Sequence, residues 1–99
     1  MSSKVFDPQV GDKVNYTIWT DVEPGTVVKR TSKTVHVQLD HAVCSDWERQ
    51  DWSIQRDKAG SIVTFSLRVS GQWKRTGVSV NERGAYLSPG WRKYYDLGF

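Results

Sequence analysis

The stretch VGDKVNYTIWTDVEPGTVVKRTSKTVHVQLD, residues 10–40, carries a two-residue apolar rhythm in three successive segments. In residues 12–19, Val14, Tyr16 and Ile18 alternate with Lys13, Asn15 and Thr17. Side chains of an extended chain point to opposite faces in turn, so this spacing predicts a strand with one buried face. Asp21 to Gly25 has turn chemistry and closes that strand; TVVKR (26–30) forms the next one. TSK (31–33) is a tight connection to TVHVQLD (34–40), where Val35, Val37 and Leu39 share a face. The three segments predict an antiparallel β-meander.

The rhythm continues further along the chain. In residues 61–69, Val63, Phe65, Leu67 and Val69 oppose Ile62, Thr64, Ser66 and Arg68. Ser70 and Gly71 then turn the chain into a returning strand that carries Trp73 and Arg75 on one face. Residues 41–53, HAVCSDWERQDWS, show neither clean alternation nor a long apolar helical face. They are expected to form a long central loop with room for a helical turn. Residues 78–86 are expected to be irregular. Ser88 has N-cap chemistry and Pro89 suits a first helical position, which predicts a helical turn over 89–95. Five or six short strands with glycine turns point to a small closed antiparallel barrel, which leaves no open sheet edge.

Composition agrees with one globular domain over residues 1–99. Ninety-nine residues are too few for two independent cores. The chain is 25% charged and 37% hydrophobic, unlike a disordered one, and its 12% aromatic content supplies large buried rings. Cys44 is the single cysteine, so no intrachain disulfide can form, and a reducing cytoplasmic setting is expected. No segment has signal-peptide or membrane-spanning character, and no membrane partner is expected. Fourteen Lys and Arg against eleven Asp and Glu give a net charge of +3. The charge is unevenly placed. Asp40, Asp46, Glu48, Asp51 and Asp57 crowd the middle, while Arg68, Lys74, Arg75, Arg83, Arg92 and Lys93 occupy the later part.

Catalysis finds little support. His36, His41 and Cys44 have no familiar zinc spacing, and His36 alternates away from Val35 and Val37, toward solvent. Cys44 lacks an adjacent glycine-rich oxyanion turn, and no phosphate-cradling loop is present. No catalytic residue, metal or cofactor is expected. Binding surfaces are better represented. GQWKRTG (71–77) and GWRKYYD (90–96) each place a tryptophan before two cations. Trp73, Lys74, Arg75, Trp91, Arg92 and Lys93 are therefore candidates for stacking on bases and meeting phosphates. The competing reading puts Trp73 in the core, with Arg92 lying across it. Trp47 and Trp52, beside Glu48 and Arg49, have the chemistry of a protein-binding hot spot, unless both rings fold back as a lid.

The order Gly11, Asp12, Val14, Trp19, Val27, Val28, Val35, Val37 and Asp40 resembles the opening of SH3-like barrels of the Tudor and KOW kind. That resemblance implies an SH3-like barrel, and from the Tudor side it implies Tyr16 and Trp19 as walls of an aromatic cage. The whole chain is similar to a group of small bacteriophage and bacterial proteins. Ile18 to Asp21, Phe65 to Arg68, Gly71 to Trp73 and Leu87 to Gly90 are the shared landmarks. This likeness implies a phage origin and the host cytoplasm. The function expected is non-enzymatic binding of a host or viral protein; the alternatives are an RNA- or DNA-binding barrel and a small structural subunit of an oligomer.

Overall fold

The computed structural model describes residues 6–18, 21–49, 51–79 and 84–94. Among these residues eight strands occur: β1 (Lys13–Ile18), β2 (Asp21–Arg30), β3 (Thr34–Leu39), β4 (His41–Asp46), β5 (Asp51–Gln55), β6 (Ile62–Leu67), β7 (Trp73–Arg75) and β8 (Tyr86–Pro89). Six of them close into an antiparallel barrel in the order β1-β2-β3-β6-β7-β8, with β8 returning to β1 through Val14↔Pro89 and Tyr16↔Leu87. Among the described residues β4 and β5 pair only with each other and form a two-stranded arm.

The barrel interior follows the predicted alternation in the middle of the strands. Ile18 and Val69, expected on buried faces, are exposed, and Asn15, expected on the opposite face, is buried. Val14 and Tyr16 from β1 meet Val27, Val35, Val37, Phe65, Trp73 and Leu87, all buried. Phe65 is completely buried, and Tyr16 packs edge-to-face on it, with ring centroids 5.0 Å apart at 79°. Such a pair adds directional attraction to the area buried. Val69 and Ile62 point out to solvent.

β2 begins earlier than its turn chemistry suggested, taking in Asp21 to Gly25. Pro24 is tolerated because pairing on the β3 side starts only at Gly25↔Leu39. Gly25 is required by close approach: a Cβ there would lie 2.5 Å from Val37 Cγ1. A register shift between Val27 and Lys29 then bends the strand, as closure of a small barrel demands.

Two expectations need correction. Residues 41–53 are not a loop with a helical turn; most of them form the β4–β5 hairpin. Its alternation was hidden because the inward positions hold the small Ala42 and Cys44, while the apolar Val43 faces out. At the other site, Ser88 and Pro89 end β8 instead of starting a helix. Ser88 sits opposite Asn15 in the β1 ladder, and residues 90–93 run on without helical bonding. No helix occurs among the described residues, so none is long and apolar enough to cross a membrane. Tyr95, at the end of the predicted turn, lies outside them.

Replacing Phe65 with Ala should lower stability by about 3–5 kcal/mol, the cost of a core aromatic truncation. Urea unfolding should show this as a lower midpoint with an unchanged slope.

Candidate interaction site on the arm

The arm leaves the barrel at Asp40, between β3 and β4, and the chain returns through Arg56 and Asp57. The Asp40 side chain has no solvent exposure. One carboxylate oxygen accepts bonds from the Thr26 hydroxyl at 2.7 Å and the Trp91 indole N–H at 2.8 Å. The other accepts the Arg56 guanidinium at 2.8 Å and the Asp57 backbone N–H at 2.9 Å. Arg56 also donates to Gln38 Oε1, and the Gln38 amide donates to the carbonyls of Lys58 and Gly60. Both ends of the arm are thus fastened to the barrel through one buried charge.

Burial is the largest single influence on the Asp40 carboxyl and pushes its pKa up. The bonds from the Asp57 N–H, Thr26, Trp91 and Arg56 favour the ionised form and together outweigh it, so the group titrates below the ordinary aspartate value.

Residues 90–94 form a strap across the arm base. Asn15 donates to the Pro89 carbonyl and accepts the Arg92 N–H. Val22 and Tyr94 exchange backbone bonds of 2.8 and 3.0 Å. Lys93 pairs with Glu23 and also lies 5.5 Å above the Trp52 ring. Lys13 lies 4.6 Å over the Trp91 ring. Arm base and strap border an open polar cleft of about 460 Å³ lined by Glu23, Asp40, His41, Asp57, Gly60 and Lys93 among others.

The arm has two unlike faces. Ala42, Cys44, Trp52 and Ile54 are half-buried, whereas His41, Val43, Ser45, Ser53 and Gln55 are exposed. At the tip, Asp46 accepts the backbone N–H groups of Glu48 and Arg49, a side-chain-stabilised turn that turns the chain at Trp47. Trp47 is 51% exposed. Its ring meets Trp52 edge-to-face, with centroids 5.2 Å apart at 76°. Glu48 and Arg49 are exposed beside it, and Arg49 reaches Asp46 at 3.6 Å. Trp47, Glu48, Arg49 and Trp52 therefore come together, with Trp52 as the half-buried support and Trp47 as the outward ring.

The basic and aromatic candidates do not share one surface. Trp73 is a core residue whose indole donates to the Phe6 carbonyl at 3.2 Å, with the Arg30 guanidinium 4.8 Å over its ring. Lys74 is buried, and Arg75 is exposed with its guanidinium donating to the Tyr16 hydroxyl at 3.3 Å. Trp91 is held by Asp40, Lys93 is paired with Glu23, and Arg92 is exposed. Of the cage candidates, Tyr16 is buried in the core and Trp19 lies outside the described residues. His36 bonds the Thr64 hydroxyl at 3.1 Å. No cluster of three or more His, Cys, Asp or Glu able to hold a metal occurs among the described residues. Sequence reasoning missed Asp40, Asn15 and Glu23 as organisers. An aspartate ending an apolar strand was the available signal.

Compared with known proteins, the chain matches no family model, no curated protein and no solved structure. The closed six-stranded antiparallel barrel is compatible with an SH3-like barrel.

Asp40→Asn should cost about 2 kcal/mol at neutral pH, in the range of charge-assisted hydrogen bonds. Because the folded pKa is depressed, the Asp40 contribution is complete above the unfolded value of about 3.9 and is lost as pH falls through the folded one. The gap between wild type and Asp40→Asn should therefore narrow in acid. Urea midpoints at neutral and acidic pH measure it.

Proposed function

We propose that the protein is a non-enzymatic binding module that takes a protein partner on the tip of the β4–β5 arm, with the barrel as a rigid base. One observation carries this reading: Trp47 is half exposed at the end of an arm apart from the barrel, yet its ring is braced by Trp52. A tryptophan held in place before contact loses little freedom on binding and offers a large apolar face, which is why such residues dominate protein interfaces. Glu48 and Arg49 supply polar contacts at the rim of that patch. A host or viral protein is the partner class this reading carries.

Nucleic-acid binding is the alternative. It receives less support because Trp73, Lys74, Trp91 and Lys93 serve packing or pairing within the fold, which leaves Arg75 and Arg92 as its exposed members. The two readings respond differently to salt, since phosphate contacts release counterions and weaken steeply as salt rises.

Trp47→Ala should leave the fold in place, shifting stability by no more than about 1 kcal/mol, the worth of an aromatic pair. It should weaken capture of a specific protein from bacterial lysate by about 30-fold, the loss of a strong hot spot. Arg92→Glu should not change capture. Equal capture by Trp47→Ala, or capture abolished by nuclease, would overturn the reading.

A further inference from the structure

Charge on the arm runs against charge on the rest of the molecule. In a chain of net charge +3, residues 41–55 hold Asp46, Glu48 and Asp51 against Arg49 alone. The hairpin register sets Asp46 directly opposite Asp51. Like charges opposed across two strands repel and weaken a hairpin. Asp46 has partial relief, since it accepts two backbone N–H groups and lies 3.6 Å from Arg49. Glu48 and Asp51, which both follow Trp47 in the chain, are exposed.

The aromatic pair beside these carboxylates has cation-binding faces. Lys93 of the strap already sets its ammonium 5.5 Å above Trp52, the neighbour of Trp47. A tryptophan face attracts ammonium and guanidinium groups through its ring quadrupole, and adjacent carboxylates add to that attraction. A cation brought to the tip gains both and also offsets the Asp46–Asp51 repulsion. A polyanion meets net repulsion there, since three carboxylates outnumber the single Arg49.

We infer that the arm recognises a basic segment of its protein partner, with a lysine or arginine side chain lying against Trp47 and its charge directed at Glu48 and Asp51. This rests on the arm being a protein-docking surface and specifies the chemistry of what docks. The partner is a cationic peptide segment, steered to the tip by the arm's own negative field.

The full ¹⁵N-labelled chain is titrated at low salt with three short peptides of alternating glycine and lysine, glycine and serine, or glycine and glutamate. The lysine peptide should shift the Trp47 indole N–H signal, with an affinity that falls as salt rises. Glu48→Gln/Asp51→Asn should weaken it about fivefold, the effect of losing two exposed ion pairs. Ser32→Lys/Gln72→Lys alters net charge equally but away from the arm, and should change affinity less than about twofold. If the serine or glutamate peptide shifts Trp47 as strongly, the basic specificity is wrong while the arm remains a docking surface. If none of the peptides moves Trp47, the inference fails; if Trp47→Ala also retains partner capture, the arm reading fails with it. Shifts that depend on protein concentration alone identify a second copy as the occupant and overturn the inference.

Discussion

The carboxylate of Asp40 holds three parts of the chain in one arrangement. It sits where the chain leaves the barrel, and its four donors come from β2, from the arm's return through Arg56 and Asp57, and from Trp91 in the strap. Burying a carboxylate is expensive unless its lone pairs are filled, because the charged form loses its hydration. Here they are filled by two neutral side-chain donors, one backbone N–H and one guanidinium. Loss of any single donor leaves the charge under-satisfied, so the three parts are coupled through it. The depressed pKa expresses the same fact: the environment favours the ion despite burial.

This anchoring explains how a two-stranded arm persists. An isolated hairpin is marginal in water, since it buries little and must order both strands. The β4–β5 arm is fixed at its base by the Asp40 network, contacted near its tip by Lys93 over Trp52, and closed at the tip by the Asp46 turn. These contacts lie at the base, the half-buried face and the turn. Trp47 stays exposed although the strands beneath it are ordered, which is the arrangement expected of a preorganised contact residue.

How much of this was legible depends on where apolar side chains alternate. β1, β3, β6 and the β6–β7 turn were readable because Val14, Tyr16, Val35, Val37 and Phe65 mark one buried face at a period of two. β4 was not, because Ala42 and Cys44 give no contrast with the exposed Val43. The start of β2 was hidden by Pro24 and Gly25. Both are turn residues in isolation, and both are accommodated here by the late start of β3 pairing and the close approach of Val37. Ser88 and Pro89 gave a genuine helix-start signal, but local grammar yields to tertiary pairing when β1 offers a ladder. The Trp47 and Trp52 site was visible as composition; its geometry required the hairpin.

The two Trp-plus-cations motifs show why composition alone misplaces a surface. In β7, Trp73 points into the barrel and becomes one of its largest core residues. Trp91, with the same flanking chemistry, follows β8 and meets Asp40, a partner fifty-one positions away in sequence. A tryptophan has one polar atom on a large apolar ring, so it settles where that N–H finds an acceptor and the ring finds cover. The barrel provides both for Trp73 through Phe6, and the junction provides both for Trp91 through Asp40 and Lys13. At the arm tip Trp47 has an edge-to-face neighbour in Trp52 and remains half exposed. In the binding reading proposed above, burial of that remaining area would be a source of free energy for contact.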